Sequence, residues 1–143
     1  LVGRGSEKEK LIKYIDENNL SKDVRLIDFQ NNPFNLIKSS DVFILSSLYE
    51  GLPNVLLESQ VLKKFIISSN CPTGPREILL NGKAGFLFNV GNVKELQKKI
   101  YYVTNKKNSK NINKKIRLGY LSMDRFNYSK NMKLYLKEVK KYL

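Results

Sequence analysis

Two acidic residues, Glu50 and Glu58, close the ends of the stretch Glu50-Gly51-Leu52-Pro53-Asn54-Val55-Leu56-Leu57-Glu58. If Pro53 lies near the first helical position, the free N–H groups and positive dipole end of a helix face the loop that carries Glu50. Such an end attracts a phosphate or a polar sugar hydroxyl. Gly51 lets the backbone approach a ligand closely. Glu58 then sits about five residues into the helix, ~7.5 Å along its axis. Carboxylates set that far apart suit two different parts of one extended ligand. A plainer alternative makes Glu50 a helix-start residue and Glu58 a surface residue.

A second loop has the same character. In Ser69-Asn70-Cys71-Pro72-Thr73-Gly74-Pro75-Arg76-Glu77, small residues leave room beside another helix start at Pro75. Its plainer reading is a rigid Pro/Gly turn with Glu77 as the cap. The glycines at Gly3 and Gly5 lack the full G-x-G-x-x-G spacing, and no Walker motif is present. No D-x-D pair occurs either, which weighs against a metal-held diphosphate. A single cysteine, Cys71, and no histidine remove the usual zinc ligands, an internal disulfide and the commonest general base. The expectation is therefore no metal and no cofactor.

The elements that must position these loops follow from periodicity. Leu1-Val2-Gly3 reads as the end of a strand, and the expectation is a chain cut from a longer protein. Ser6 and Glu9 form a capping box before a helix carrying Leu11, Ile12 and Ile15. Val24 to Phe29 reads as a strand, and Pro33 opens a short helix with Phe34, Leu36 and Ile37. Val42-Phe43-Ile44-Leu45 and Phe65-Ile66-Ile67-Ser68 are continuous apolar runs, expected to be strands buried on both faces. Between them a helix runs from about Pro53 to Leu62. Another short helix runs from Pro75 to a stop at Asn81-Gly82, followed by a strand at Phe86-Leu87-Phe88. Asn92 with Glu95 caps a helix to about Thr104. Asn105 to Asn113 is a polar loop, and helices follow from Ile112 to about Arg125 and from Ser129 to Leu143. The second of these has Met132, Leu136, Val139 and Leu143 on one stripe. Strands alternating with helices predict an α/β protein with a Rossmann-like open parallel sheet flanked by helices. Ligands of such sheets bind beyond the carboxyl ends of the strands, where both loops lie.

The chain of 143 residues has the length of one domain, residues 1–143, with 106–143 as a helical extension. At 41% hydrophobic and 27% charged it is globular in composition. No apolar run reaches the ~18 residues of a membrane span. With 26 basic against 13 acidic residues the net charge is +13, and lysines crowd the chain from Lys94 onward. This excess suits a polyanionic partner: an anionic membrane surface, phosphates or nucleic acid. A basic nucleic-acid-binding module is one alternative, with eight Tyr and seven Phe as stacking surface. Most aromatics lie in apolar stripes or strands and are expected in the core, and no RNA motif is present, so no nucleic-acid partner is expected.

At Glu50 and Glu58 the sequence resembles the carboxy-terminal domain of retaining GT-B glycosyltransferases of family 4, through the E-x7-E motif EGLPNVLLE. The segments LVGRGSEKEKL, VRLIDFQNNP, SSDVFILSSLYEGLPNVLLES and NCPTGPREILLNGKAGFLF follow in that family's order over about residues 1–105. The resemblance implies one half of a GT-B fold, truncated at its N-terminus. It implies a donor-binding domain for a nucleoside-diphosphate sugar, UDP-linked and N-acetylated, with a polysaccharide or lipid-linked oligosaccharide as acceptor. Glu58 would accept the two ribose hydroxyls and Glu50, the catalytic candidate, hydroxyls of the transferred sugar. Backbone N–H groups at Gly51, Leu52 and Asn54 around Pro53 would meet sugar or diphosphate. Phe29, Gln30 and Asn31 would flank the base, and Gly74 and Pro75 would lie near the sugar. The family's basic pair is absent, and Arg4 is the residue placed to substitute as a phosphate contact. The amino-terminal acceptor-binding domain is a further implied partner, so the chain alone is expected to be inactive. The CPTGPREIL segment resembles transferases acting on lipid-carried N-acetylated sugars. That implies a cytoplasmic protein on the inner face of the membrane. A non-catalytic sugar-nucleotide-binding module is the other alternative.

Overall fold

The structure, a computed structural model, describes residues 1–142. The chain forms two compact units, Leu1–Asn35 and Leu36–Leu143, each described by itself. In the first, helix α1 (Lys8–Glu17) buries Ile15. Val2 bridges Ile27 in parallel, held by Gly3 N–H to the Ile27 carbonyl (2.9 Å) and Ile27 N–H to the Leu1 carbonyl (2.8 Å). The strand expected over Val24 to Phe29 is reduced to this bridge. The capping box at Ser6 does not form: Glu7 takes the N-cap position with no side-chain cap. The chain turns at Gly5, whose carbonyl accepts from Lys8 N–H, and Ser6 is left outside the helix.

Helix α2 (Phe34–Ser39) leads into the second unit, with Asn32 accepting from Phe34 N–H just ahead of it. Strands β1 (Val42–Leu45), β2 (Phe65–Ser69) and β3 (Phe86–Phe88) form a parallel sheet in the order β1-β2-β3. The register pairs Val42 with Phe65 and Ile67 with Phe86. Helix α3 (Asn54–Val61) joins β1 to β2, and the single turn α4 (Pro75–Ile78) lies between β2 and β3. After β3 come α5 (Val93–Thr104), a 3-10 turn (Lys106–Asn108), α6 (Ser109–Leu121), a second 3-10 stretch (Ser122–Phe126) and α7 (Tyr128–Val139).

Successive side chains of a strand point to opposite faces, and β2 divides the core accordingly. Ile66 packs with Leu56 of α3, Ile78 and Leu79. Phe65 and Ile67 pack with Phe88 against Leu96 and Val103 of α5 and Ile112 and Ile116 of α6. The sheet is thus covered on both faces, the layered α/β arrangement the sequence predicts. Each fully buried side chain contributes about 1.5–3 kcal/mol. Phe65 meets Phe86 edge-to-face at 5.1 Å, and Lys115 Nζ lies 5.3 Å from the Phe86 ring centre while donating to the Gly82 carbonyl at 2.6 Å. Burial of Lys115 lowers its pKa below the usual lysine value.

Only β2 is buried on both faces; β1 is a sheet edge, and Ile44 is 40% exposed. Asn105 to Asn113 is no loop: Asn105 caps the 3-10 turn and α6 already starts at Ser109, because Ile112 and Ile116 pack on the sheet. The turn at Pro75 ends at Ile78, before left-handed Leu80, Asn81 and Gly82. All eight tyrosines are exposed rather than in the core, since a buried phenol needs a partner for its hydroxyl. In α7, Met132 and Val139 are half-buried and Leu136 is exposed; Leu143 lies outside the described residues. The Asn92 cap is as expected, Asn92 Oδ1 accepting from Glu95 N–H at 3.0 Å.

Candidate functional site

The loops leaving β1 and β2 rise side by side from adjacent parallel strands and are fastened to each other. Ser69 Oγ and Cys71 Sγ both donate to the Ser47 carbonyl, at 2.7 and 3.1 Å. Thr73 Oγ1 donates to the Glu50 carbonyl. Gly74 has φ +85°, open to glycine at little cost. A Cβ there would overlap the Gly51 carbonyl oxygen and come within 2.5 Å of Pro53 Cδ. Only a residue without a side chain lets the second loop lie on the first. Gly51, Pro53 and Gly74, drawn from two separate sequence motifs, therefore meet in space. Asn70 ties the second loop to β3 and α4: its N–H donates to the Phe88 carbonyl (2.7 Å) and its Oδ1 accepts from Arg76 Nε (3.2 Å).

Glu50 is half-buried, and its carboxylate accepts a hydrogen bond from Ser47 Oγ at 2.6 Å, which fixes its direction. Pro53 is buried and occupies the N-cap position of α3, one place before the first helical residue expected for it. Having no N–H, it removes one donor from the end that would need satisfying. The amides of Gly51, Leu52, Asn54 and Val55 donate to no acceptor among the described residues. They supply hydrogen-bond donors and the positive end of the helix dipole at one place. Glu58, the fifth residue of α3, is half-buried, and its carboxylate has no hydrogen-bond or ion-pair partner among the described residues. Pro75 is buried at the start of α4. The oriented Glu50 carboxylate and the free amides at the start of α3 are suited to hydroxyls and an anionic group, and Glu58 stands about one turn further along the helix.

Sequence reasoning missed Ser47, Ser69, Cys71 and Thr73, which hold these loops. Their signal is weak: small hydroxyl or thiol residues directly after an apolar strand, whose partners lie more than twenty positions away.

In the first unit Arg4 lies over the Phe29 ring, 5.4 Å from its centre. Two of the residues singled out from sequence are thus brought together, as a cation–π pair. Gln30 is exposed, its Nε2 donating to the Asp28 carbonyl at 3.1 Å, and Asn31 is exposed. Beside Arg4 a cleft of about 280 Å³ opens, lined by Val2, Leu11 and Ile27 among others, with a Lys8–Asp28 ion pair (2.5 Å) between two of its lining residues.

The family model described as Glycosyl transferases group 1 matches residues 1–119. An uncharacterized glycosyltransferase of Methanocaldococcus jannaschii is 47% identical over 79 residues, covering 55% of this chain and 20% of that protein. The UDP-Gal:alpha-D-GlcNAc-diphosphoundecaprenol alpha-1,3-galactosyltransferase of Escherichia coli is 32% identical over 137 residues, 92% of this chain and 35% of its own length. The chain spans at most about a third of these curated relatives. Among solved structures, Anabaena HepE in complex with UDP superposes with a TM-score of 0.82 at 19% identity, over 100% of this chain and 40% of that one. That likeness is one of fold: the chain has the architecture of one half of a GT-B glycosyltransferase. Among the described residues no helix is long and apolar enough to cross a membrane.

Proposed function

The chain belongs to the glycosyl transferases group 1, and from that premise we propose that the paired loops of its second unit bind the donor of a retaining sugar transfer. The donor is a UDP-linked, N-acetylated sugar, and the acceptor a polysaccharide or an oligosaccharide carried on lipid. The observation that carries this reading is the fastening of the Glu50 loop to the Gly74 loop at the carboxyl ends of β1 and β2. It supports a role for Glu50 and Glu58 on one donor. Glu58, with both carboxylate oxygens unengaged, takes the two ribose hydroxyls. Glu50, aimed by Ser47, takes hydroxyls of the transferred sugar, with Gly74 and Pro75 alongside. As the bond to the diphosphate breaks, negative charge grows on the leaving oxygens. The free amides of Gly51, Leu52 and Asn54 stabilise it without reorganising. No D-x-D pair is available for a metal, and the reading requires none.

The E. coli relative, whose acceptor is named as a diphosphoundecaprenol-linked sugar, supports the lipid-linked acceptor; the UDP in HepE supports the base. A lipid-linked acceptor places the protein at the inner face of the cytoplasmic membrane. Because the relatives are much longer, transfer belongs to the whole protein, and this chain alone binds donor weakly without turnover. In the first unit, Arg4 over Phe29 offers a flat cationic surface.

Titration of the isotopically labelled chain with UDP, GDP, CDP and their sugars, followed by amide NMR shifts, tests the reading. Glu58→Gln is expected to weaken UDP and UDP-sugar alike by about tenfold or more, the worth of hydrogen bonds to a charged group. Glu50→Gln is expected to weaken only the sugar-bearing ligand. Amides of residues 50–58 that stay still with every nucleotide at millimolar concentration would refute it.

A further inference from the structure

Residues 94–117 carry Lys94, Lys98, Lys99, Lys106, Lys107, Lys110, Lys114, Lys115 and Arg117, but one acidic residue, Glu95. Lys99 is engaged with Glu95 and Lys115 with the Gly82 carbonyl. The other seven cations are exposed and in no ion pair among the described residues. Their placement follows from which face each helix buries. Helix α5 turns Leu96 and Val103 to the sheet, so at 3.6 residues per turn Lys94, Lys98 and Tyr101 form its outward stripe. Helix α6 buries Ile112 and Ile116 in the same cluster, so Lys110, Lys114, Arg117 and Leu121 form its outward stripe by the same spacing. The turn joining the helices adds Lys106 and Lys107. Both helices cover one face of one sheet, which puts the cations on a single outer layer.

We infer that this layer, the outer face of α5 and α6, docks the protein on an anionic bilayer. A solvated face of this size ordinarily mixes signs; here Glu95 is the one acid, and it is spent on Lys99. The cations are interleaved with exposed apolar groups, Tyr101 at 75% and Leu121 at 62%, with Leu118 beside them. Lysine stems with tyrosine and leucine between them suit a headgroup layer, where the charge stays in water and the rings and aliphatic groups enter the interface. Nucleic acid would reward the charge and leave the leucines without a partner. This face gives the proposed membrane location its contact surface and rests on that reading, while its charge and exposure are independent of the donor-site residues.

Co-sedimentation with vesicles of phosphatidylcholine, with and without phosphatidylglycerol, tests it. The chain is expected to bind only the phosphatidylglycerol vesicles and to be released as salt rises from about 0.05 to about 0.5 M. Replacing Lys94, Lys98, Lys110 and Lys114 by Gln should lower partitioning by about 100-fold or more, whereas the same change at Lys22, Lys38, Lys83 and Lys133 should cost less than about tenfold. Substituting Leu118 and Leu121 by Ser should weaken vesicle binding while leaving binding to an RNA homopolymer unchanged. Equal losses in the two lysine variants, no sedimentation of the parent chain, or salt-sensitive RNA binding without vesicle binding would each overturn the inference. Circular dichroism of each variant and nucleotide shifts at residues 50–58 keep a folding defect or a failed donor site distinct from a failed surface.

Discussion

At the scale of single residues, Gly74 is the position on which the site's geometry turns. Its φ of +85° and the Gly51 carbonyl packed against it leave no room for a methyl group. Gly74→Ala combines a strained backbone with a steric overlap. It is expected to cost more than about 2 kcal/mol and to scatter the amide shifts of residues 47–54, read by urea titration and NMR. The two glutamates, Gly51 and Gly74 were legible in the sequence because each type is constrained: acids at the ends of a helix start, glycines in loops after apolar runs. Ser47 and Thr73 were not. Thr73 reaches the Glu50 carbonyl, and the Ser47 carbonyl accepts from Ser69 and Cys71, only when two strands stand next to each other, and nothing local marks either residue out from other small polar residues.

At the scale of elements, the start of α5 shows a cap whose worth depends on pH. The Asn89 N–H donates to Glu95 Oε2 at 2.8 Å, and Lys99 Nζ lies 3.0 Å from Oε1. First the Asn89 amide and then Lys99 hold the Glu95 carboxyl below its ordinary value. A pKa lowered on folding contributes stability above the unfolded value that is lost as pH falls through the folded one. Glu95→Gln is therefore expected to cost about 1 kcal/mol at neutral pH, within the range of a lost cap. The difference from the parent chain should shrink as pH falls below the ordinary glutamate value of about 4.3 and on through the lowered folded one, measured by urea unfolding at a series of pH values. This cap was legible because Asn92 and Glu95 stand three apart with an apolar stripe behind them. The matching pair Ser6 and Glu9 misled, since a backbone turn at Gly5 took the helix start one residue further. The early start of α6 was hidden for the opposite reason: lysines and asparagines argue weakly for any structure, and two isoleucines packed on the sheet decided it.

At the scale of the whole molecule, alternating apolar runs and helical stripes were enough to reveal a parallel sheet with helices on both faces. Composition could not say which strand would be central. Val42–Leu45 and Phe65–Ser69 read alike, but β2 alone has a neighbour on each side. Ile66, fully buried on that strand, is expected to lose about 2–5 kcal/mol of unfolding free energy on replacement by Ala, as measured by denaturant unfolding. Tyrosine was misjudged for a related reason: hydrophobic counts ignore its hydroxyl, and all eight lie outside the core. Because hydroxyl, thiol and glycine contacts already lock the exits of β1 and β2 together, whatever ligand settles there finds its seat assembled. Little conformational freedom is surrendered on arrival. Capture should then proceed at a rate set by encounter, with no slow rearrangement phase, and differences among ligands should reside in how long each stays.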